Sequence, residues 1–181
     1  MPDENPAATI TLDFSLELQT DPLGAQLDVS VPDAASDSAR QAFLDSAESA
    51  LVGAQGNLIS QCVGEAHDQL ASYASGQGGY VYDSVEESFQ GVEVDRGSTS
   101  LTVTWSWDHV AASIWEFGAG PFTIDGDPLL VFVFDQGEYP GLAEAFPEGT
   151  AFLESVDHTG FPEARWVRDS LHWLRREVSQ A

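Results

Sequence analysis

Lysine is absent from this chain. Its six basic residues are all arginines, set against thirty aspartates and glutamates, for a formal net charge of −24 at pH 7 over 181 residues. That absence removes whole chemistries. A phosphate-loop NTPase needs a lysine ammonium on its phosphates, and Schiff-base catalysis needs an amine. Nucleic acid and anionic lipid are poor partners too, because affinity for polyanions comes from neutralising phosphates with Lys and Arg. Cysteine is nearly absent as well. Cys62 alone cannot form an internal disulfide, and its place on a helical apolar stripe marks it as a buried, inert thiol, with a catalytic cysteine as the alternative. No window approaches the roughly eighteen consecutive apolar residues of a membrane span. The opening Met1-Pro2-Asp3-Glu4 lacks the basic region and following apolar run of a secretion signal, which places the chain in the cytoplasm until assembly.

What is present is the composition of a packed domain. Apolar residues make up 43% of the chain, with five tryptophans and ten phenylalanines, far more than a solvating acidic tail carries. The acids are spread along the chain. At ordinary salt such a charge opposes compaction through self-repulsion, whereas in roughly molar salt the screening length falls to about 3 Å and the penalty largely disappears. A lysine-free, acid-rich, well-patterned chain therefore points to a halophile with concentrated salt in its cytoplasm. The competing reading is an acidic protein-binding module, a nucleic-acid mimic that acts as a free inhibitor.

The hydropathy pattern predicts an α+β domain. Residues 9–18 alternate, with Ile10, Leu12, Phe14, Leu16 and Leu18 on one face. Asp21-Pro22-Leu23-Gly24 has the residues of a turn, and Leu27, Val29 and Val31 alternate again, which makes an N-terminal hairpin. Residues 1–36 are expected to be that hairpin extension and its linker, and 37–181 the main domain. Ser38 and Gln41 have capping-box spacing, and an apolar stripe runs from Phe43 to Tyr73 at the helical period. A helix from Ser38 to Tyr73 would extend about 54 Å, against a domain diameter of roughly 40 Å, so a bend at Gly53 or Gly56, or an overhang, is required. Ser75-Gly76-Gln77-Gly78-Gly79 is expected to be a cap and loop, and 80–85 an extended segment or short turn.

Further strands are expected at 89–94, 101–107 and 151–156, with a turn at 95–98 and a helix-capable link over 108–117. The continuous apolar run 129–134 predicts a strand buried on both faces. A Gly-, Pro- and Glu-rich loop covers 136–149. From Pro162, suited to a first helical turn, an amphipathic C-terminal helix carries four of the six arginines, assigned to its carboxyl end, where the dipole favours positive charge.

Catalytic patterns are scarce. Asp125-Gly126-Asp127 begins like a calcium loop but lacks the spaced ligands and closing glutamate, so a turn is expected. Glu65 and His67, two apart on a helix, do not share a face. Asp157-His158 and His172 would meet only through tertiary folding. Thirty carboxylates leave a carboxylate-dependent hydrolase open without naming an acid pair. No catalytic residue, metal ligand or cofactor is assigned.

A more specific pattern spans roughly residues 38–178. Gly79-Tyr80-Val81-Tyr82-Asp83-Ser84-Val85 is followed by Trp115-Glu116-Phe117-Gly118-Ala119, then by His158-Thr159-Gly160-Phe161, and last by Arg165-Trp166-Val167-Arg168-Asp169-Ser170-Leu171. In order and spacing this resembles the tail-completion (head–tail joining, minor tail, neck) family of tailed viruses, the gene-product-ten-like group. Its members carry a long N-terminal helix, a G-x-L-x-x-S-I segment, an E-F-G-T motif, an H-P-G-T motif and a P-F-L-R-x-A-L helix. The departures are Ala111 where an aromatic is usual, Ala119 for Thr, Thr159 for Pro and Arg165 for Pro. The resemblance implies a virion structural protein of a haloarchaeal virus, not an enzyme. It would form a ring of six, contact itself, the tail tube protein and the head connector, and lie at the virion neck after assembly in the host cytoplasm. It would neither recognise nucleic acid directly nor bind a membrane. The residues it assigns to structure and interfaces are Trp115, Glu116, Phe117, Gly118, His158, Gly160, Arg165, Trp166 and Arg168. Glu116 is expected to accept hydrogen bonds from backbone or from an arginine such as Arg168, in cis or from a neighbouring subunit.

Overall fold

The structure, a computed structural model, describes residues 13–32, 35–54, 57–76, 82–138 and 140–179. The chain is α+β and forms two compact units, one of residues 1–117 with 163–181 and the other of residues 118–162. The first unit holds an antiparallel sheet of β1 (Asp13–Thr20), β2 (Leu23–Ser30), β3 (Phe89–Arg96) and β4 (Ser100–Trp107), in the order β1-β2-β4-β3. The N-terminal hairpin is thus part of the main sheet, and the expected boundary between 36 and 37 does not coincide with the division of the chain.

Alternation builds the sheet as expected. Leu23, Ala25, Leu27 and Val29 of β2 lie opposite Trp107, Trp105, Val103 and Leu101 of β4, and all eight are buried. The other face is polar and satisfies itself: Gln19 Nε2 donates to Gln26 Oε1, Gln26 Nε2 to Asp28 Oδ2, and Thr102 Oγ1 to Asp28 Oδ1. The β1–β2 turn is tighter than the sequence suggested. It comprises Asp21 and Pro22 alone, joined by a cis peptide, and Leu23 and Gly24 already belong to β2.

The single long helix is broken. Helices α1 (Asp37–Val52) and α2 (Leu58–Gly76) replace it, and Gly53 turns to an extended conformation while its N–H donates to Ser49 O at 3.0 Å. Of the two expected bend sites Gly53 is the one seen; Gly56 lies outside the described residues, as do 77–81 and the start of the alternating segment at 9–12. Ser36, not Ser38, caps α1 by accepting from Ala39 N–H. Gln41 instead takes a bond from Arg96, so the spacing resembled a capping box without forming one. Residues 82–87 are helical (α3, Tyr82–Glu87), anchored by buried Val85. Helix α4 (Val110–Phe117) fills the link before residue 118.

The terminal helix α6 spans Trp166–Val178 and packs against α2. It begins four residues after Pro162. Residues 164 and 165 instead run against the end of α4, with Ala164 N–H on Trp115 O at 2.7 Å and Arg165 N–H on Glu116 O at 3.3 Å. Only Arg175 and Arg176 occupy the last turn of α6; Arg165 and Arg168 stand at its amino end, which corrects the single-ended placement.

The second unit is an antiparallel pair, β5 (Phe122–Val133) and β6 (Thr150–His158), with α5 (Pro140–Ala145) between them in sequence. Asp125-Gly126-Asp127 is neither a calcium loop nor a simple turn. It lies at an irregularity in β5 between Asp125 and Leu130 that includes a cis Asp127–Pro128 bond. The run 129–134 is a strand over most of its length, but it is not buried on both faces: Val131 is 59% exposed and Val133 86%. A continuous apolar run does not distinguish a core strand from one in a two-stranded ribbon with an open face.

Candidate functional site

Helix α4 turns Ala112, Trp115 and Glu116 inward, at the i, i+3, i+4 spacing of one helical face. A fully buried carboxylate among apolar neighbours is costly unless its oxygens are hydrogen-bonded. Here they are. Glu116 Oε2 accepts from Val167 N–H at 2.8 Å, and Oε1 from Arg168 N–H at 3.2 Å and Arg168 Nε at 2.6 Å. These amides open α6, whose N-cap Arg165 supplies no side-chain cap and has φ 57. Glu116, 51 positions earlier in the chain, does the capping. Its charge faces the positive end of the helix dipole, where anions are favoured.

Arg168 completes the arrangement. Its Nη2 donates to Glu116 O at 2.7 Å and to Glu163 Oε2 at 3.1 Å, and its guanidinium lies 5.1 Å from the centre of the Phe117 ring. The hydrogen bond to Glu116 is the main cause raising its pKa above the ordinary arginine value. Of the two options left open by the sequence, the pairing is within one chain. Trp166, fully buried, stacks edge-on against Trp107 at 4.8 Å and donates Nε1–H to Ala112 O at 3.4 Å. Arg165 is half-exposed near Glu163 and Asp169. Six of the sequence-selected residues thus converge on the junction of α4 and α6: Trp115, Glu116, Phe117, Arg165, Trp166 and Arg168.

The other three lie in the second unit. Gly118 has φ 71, and the next residue, Ala119, exchanges both backbone hydrogen bonds with Phe161 at 2.9 Å. Gly160 has φ 91, and a Cβ there would collide with Ala119 O. His158 Nδ1 accepts from Gly160 N–H at 3.0 Å, and its ring stacks on Phe122 and Phe161. The H-T-G-F segment and the residue after E-F-G are therefore in contact. Tyr82–Val85 of the first segment lie on α3, and Gly79–Val81 fall outside the described residues.

Three features escaped the sequence. Glu163 shares Arg168 with Glu116. His67 Nε2 accepts from Trp107 Nε1–H at 2.9 Å and its Nδ1 lies 3.5 Å from Glu86 Oε1, while burial pulls its pKa down and Glu86 opposes that. Arg96 clasps Asp45 and Glu48. All three depend on contacts that periodicity does not encode. Cys62 is where its stripe put it: it is buried, its Sγ donates to Ser170 O at 3.4 Å, and burial pushes the thiol up to about 11. Among the described residues no three His, Cys, Asp or Glu side chains gather as a metal site, and no helix is long and apolar enough to cross a membrane. No family model, curated protein or solved structure matches this chain.

Proposed function

We propose that this chain is a virion structural protein of a tailed virus of a halophilic host, a tail-completion or neck subunit that forms a ring between tail tube and head connector. The observation that carries the reading is the Glu116–Arg168 junction. The resemblance includes an E-F-G segment and an R-W-V-R-D-S-L segment among its ordered motifs, and in this chain the two meet through the buried carboxylate. Both oxygens of Glu116 are engaged by α6 and neither faces solvent, which suits an architectural clamp. Within the second unit, Ala119 at the end of the second motif exchanges backbone hydrogen bonds with Phe161 of the third.

The net charge fits assembly in concentrated salt. At about molar ionic strength long-range attraction between subunits is screened, leaving apolar contacts to hold neighbours together. The test is genetic and structural. Deleting the coding sequence from the virus that carries it should yield filled heads and finished tails that do not join, and the protein should be detected at the neck of intact particles. Infectious, fully joined virions lacking the protein would overturn the reading.

A further inference from the structure

We infer that the apolar face of the β5–β6 ribbon is a contact surface for a second copy of this chain. The register places Phe122, Ile124 and Val131 opposite His158, Val156 and Phe152, and Val133 opposite Thr150. On β6 the residues 150, 152, 154, 156 and 158 alternate onto one face. With their partners they make apolar patches toward both ends of the ribbon, separated by Glu154 and by the irregularity in β5 between Asp125 and Leu130. Val131, Val133, Phe152, Phe122 and Ile124 are all exposed there, Phe152 by 53%.

Charge selects the class of occupant. Glu154 is the one carboxylate that alternation along β6 puts on this face, in a chain of thirty acids, Asp127 lies in the irregular stretch of β5, and no arginine lies in β5 or β6. An anionic ligand would find no arginine here, and a cationic one only Glu154. Two copies, each carrying −24, repel where carboxylates are juxtaposed, and this face brings few of them together. A ribbon of two strands is also marginal by itself and gains stability from further strands or a helix on its apolar side. A second copy supplies that cover wherever the chain is made.

The area is adequate. Nine residues at about 3.3 Å each give a face roughly 30 Å long, on which Phe122 is 38% and Phe152 53% exposed. Two such faces packed together approach the roughly 1,000 Å² at which specific interfaces begin. The inference deepens the ring reading and, for the ribbon's place in a ring, rests on it; as a self-contact it stands on the ribbon alone.

Sedimentation in about 3 M KCl tests it, with purified full-length chain over a range of concentrations. Wild type should associate, and the double variant Val133→Asp, Phe152→Asp should weaken association by more than about tenfold through like charges at the contact. Its near-ultraviolet circular dichroism, dominated by Trp105, Trp107 and Trp166 of the first unit, should be unchanged. Glu154→Gln removes the one carboxylate and should strengthen association severalfold, a readout that does not depend on the double variant folding. A wild-type chain that stays monomeric throughout, or association untouched by both changes, would sink the inference. Association only with another virion protein would assign the face to that partner and overturn it too. If the ribbon associates as described but virions form normally without the protein, the virion reading fails alone. If neck rings form from the double variant, the ribbon inference fails alone.

Discussion

The two units of this chain use similar apolar side chains in opposite ways. In the first, Trp105, Trp107 and Trp166 lie fully inside, with the sheet on one side and α2 and α6 on the other. In the second, Ala151 is the one buried apolar residue among those described, while Val131, Val133 and Phe152 face outward. The first unit therefore buries its large apolar side chains within itself, while the second leaves several of its own exposed. Apolar content alone does not decide burial; the number of layers available to cover a strand does.

This contrast can be broken from either side. Trp166→Ala should have the largest effect, about 3–5 kcal/mol lost in chemical denaturation at high salt, because it empties the centre of the first unit. A cost below about 1 kcal/mol would show that the core is not centred there. Glu116→Gln keeps the shape of the side chain but leaves Arg168 without its buried counter-charge. About 3 kcal/mol should go, at the lower end for broken buried pairs because Arg168 retains partial access to water. Gly160→Ala should cost about 1–3 kcal/mol through strain at positive φ. Its effect should be confined to the second unit, read as faster amide exchange at Ala119 and Phe161 with the tryptophan-monitored melt unchanged.

Smaller effects sharpen the picture within the first unit. Folded His67 resists protonation, whereas the unfolded chain takes a proton near pH 6.5. The unfolded state then binds more protons as pH falls, so this contribution is intact above about pH 6.5 and is lost progressively below it. His67→Gln should flatten that part of the stability profile at fixed salt. The smallest expected effect is chemical: a thiol reagent at about pH 8 should leave Cys62 unmodified until the chain unfolds, since burial keeps it protonated.

Local pattern made part of this legible. The alternation in β4 and in the second half of β2 gave the face that both strands bury, though not where β2 begins, and the clash between helix length and domain size anticipated the break at Gly53. The same reasoning missed the open face of 129–134, because a run such as Leu129-Leu130-Val131-Phe132-Val133 contains no information about how many strands lie beside it. It also placed the start of α6 too early. Pro162 suits a first turn, but the backbone of residues 164 and 165 finds its partners on Trp115 and Glu116, a tertiary contact that outweighs the local preference. The Glu116–Arg168 pair was reachable only as one option among several, because a buried glutamate in sequence looks like any other of the thirty acids. His67 gave no signal at all: its partner, Trp107, is 40 positions away and on a strand.

Arg96 shows what a lysine-free chain does with few cations. From the end of β3 it reaches Asp45 at 2.6 Å, Glu48 at 2.7 Å and the Gln41 amide oxygen at 3.0 Å, all on α1. A flat guanidinium has donors in several directions, whereas an ammonium is a point charge. Dissolved potassium can neutralise Asp45 or Glu48 as well as an arginine can, yet it cannot tether a strand to a helix. Salt around the molecule screens the charge in that tie but does not reproduce the directed bonds that join β3 to α1.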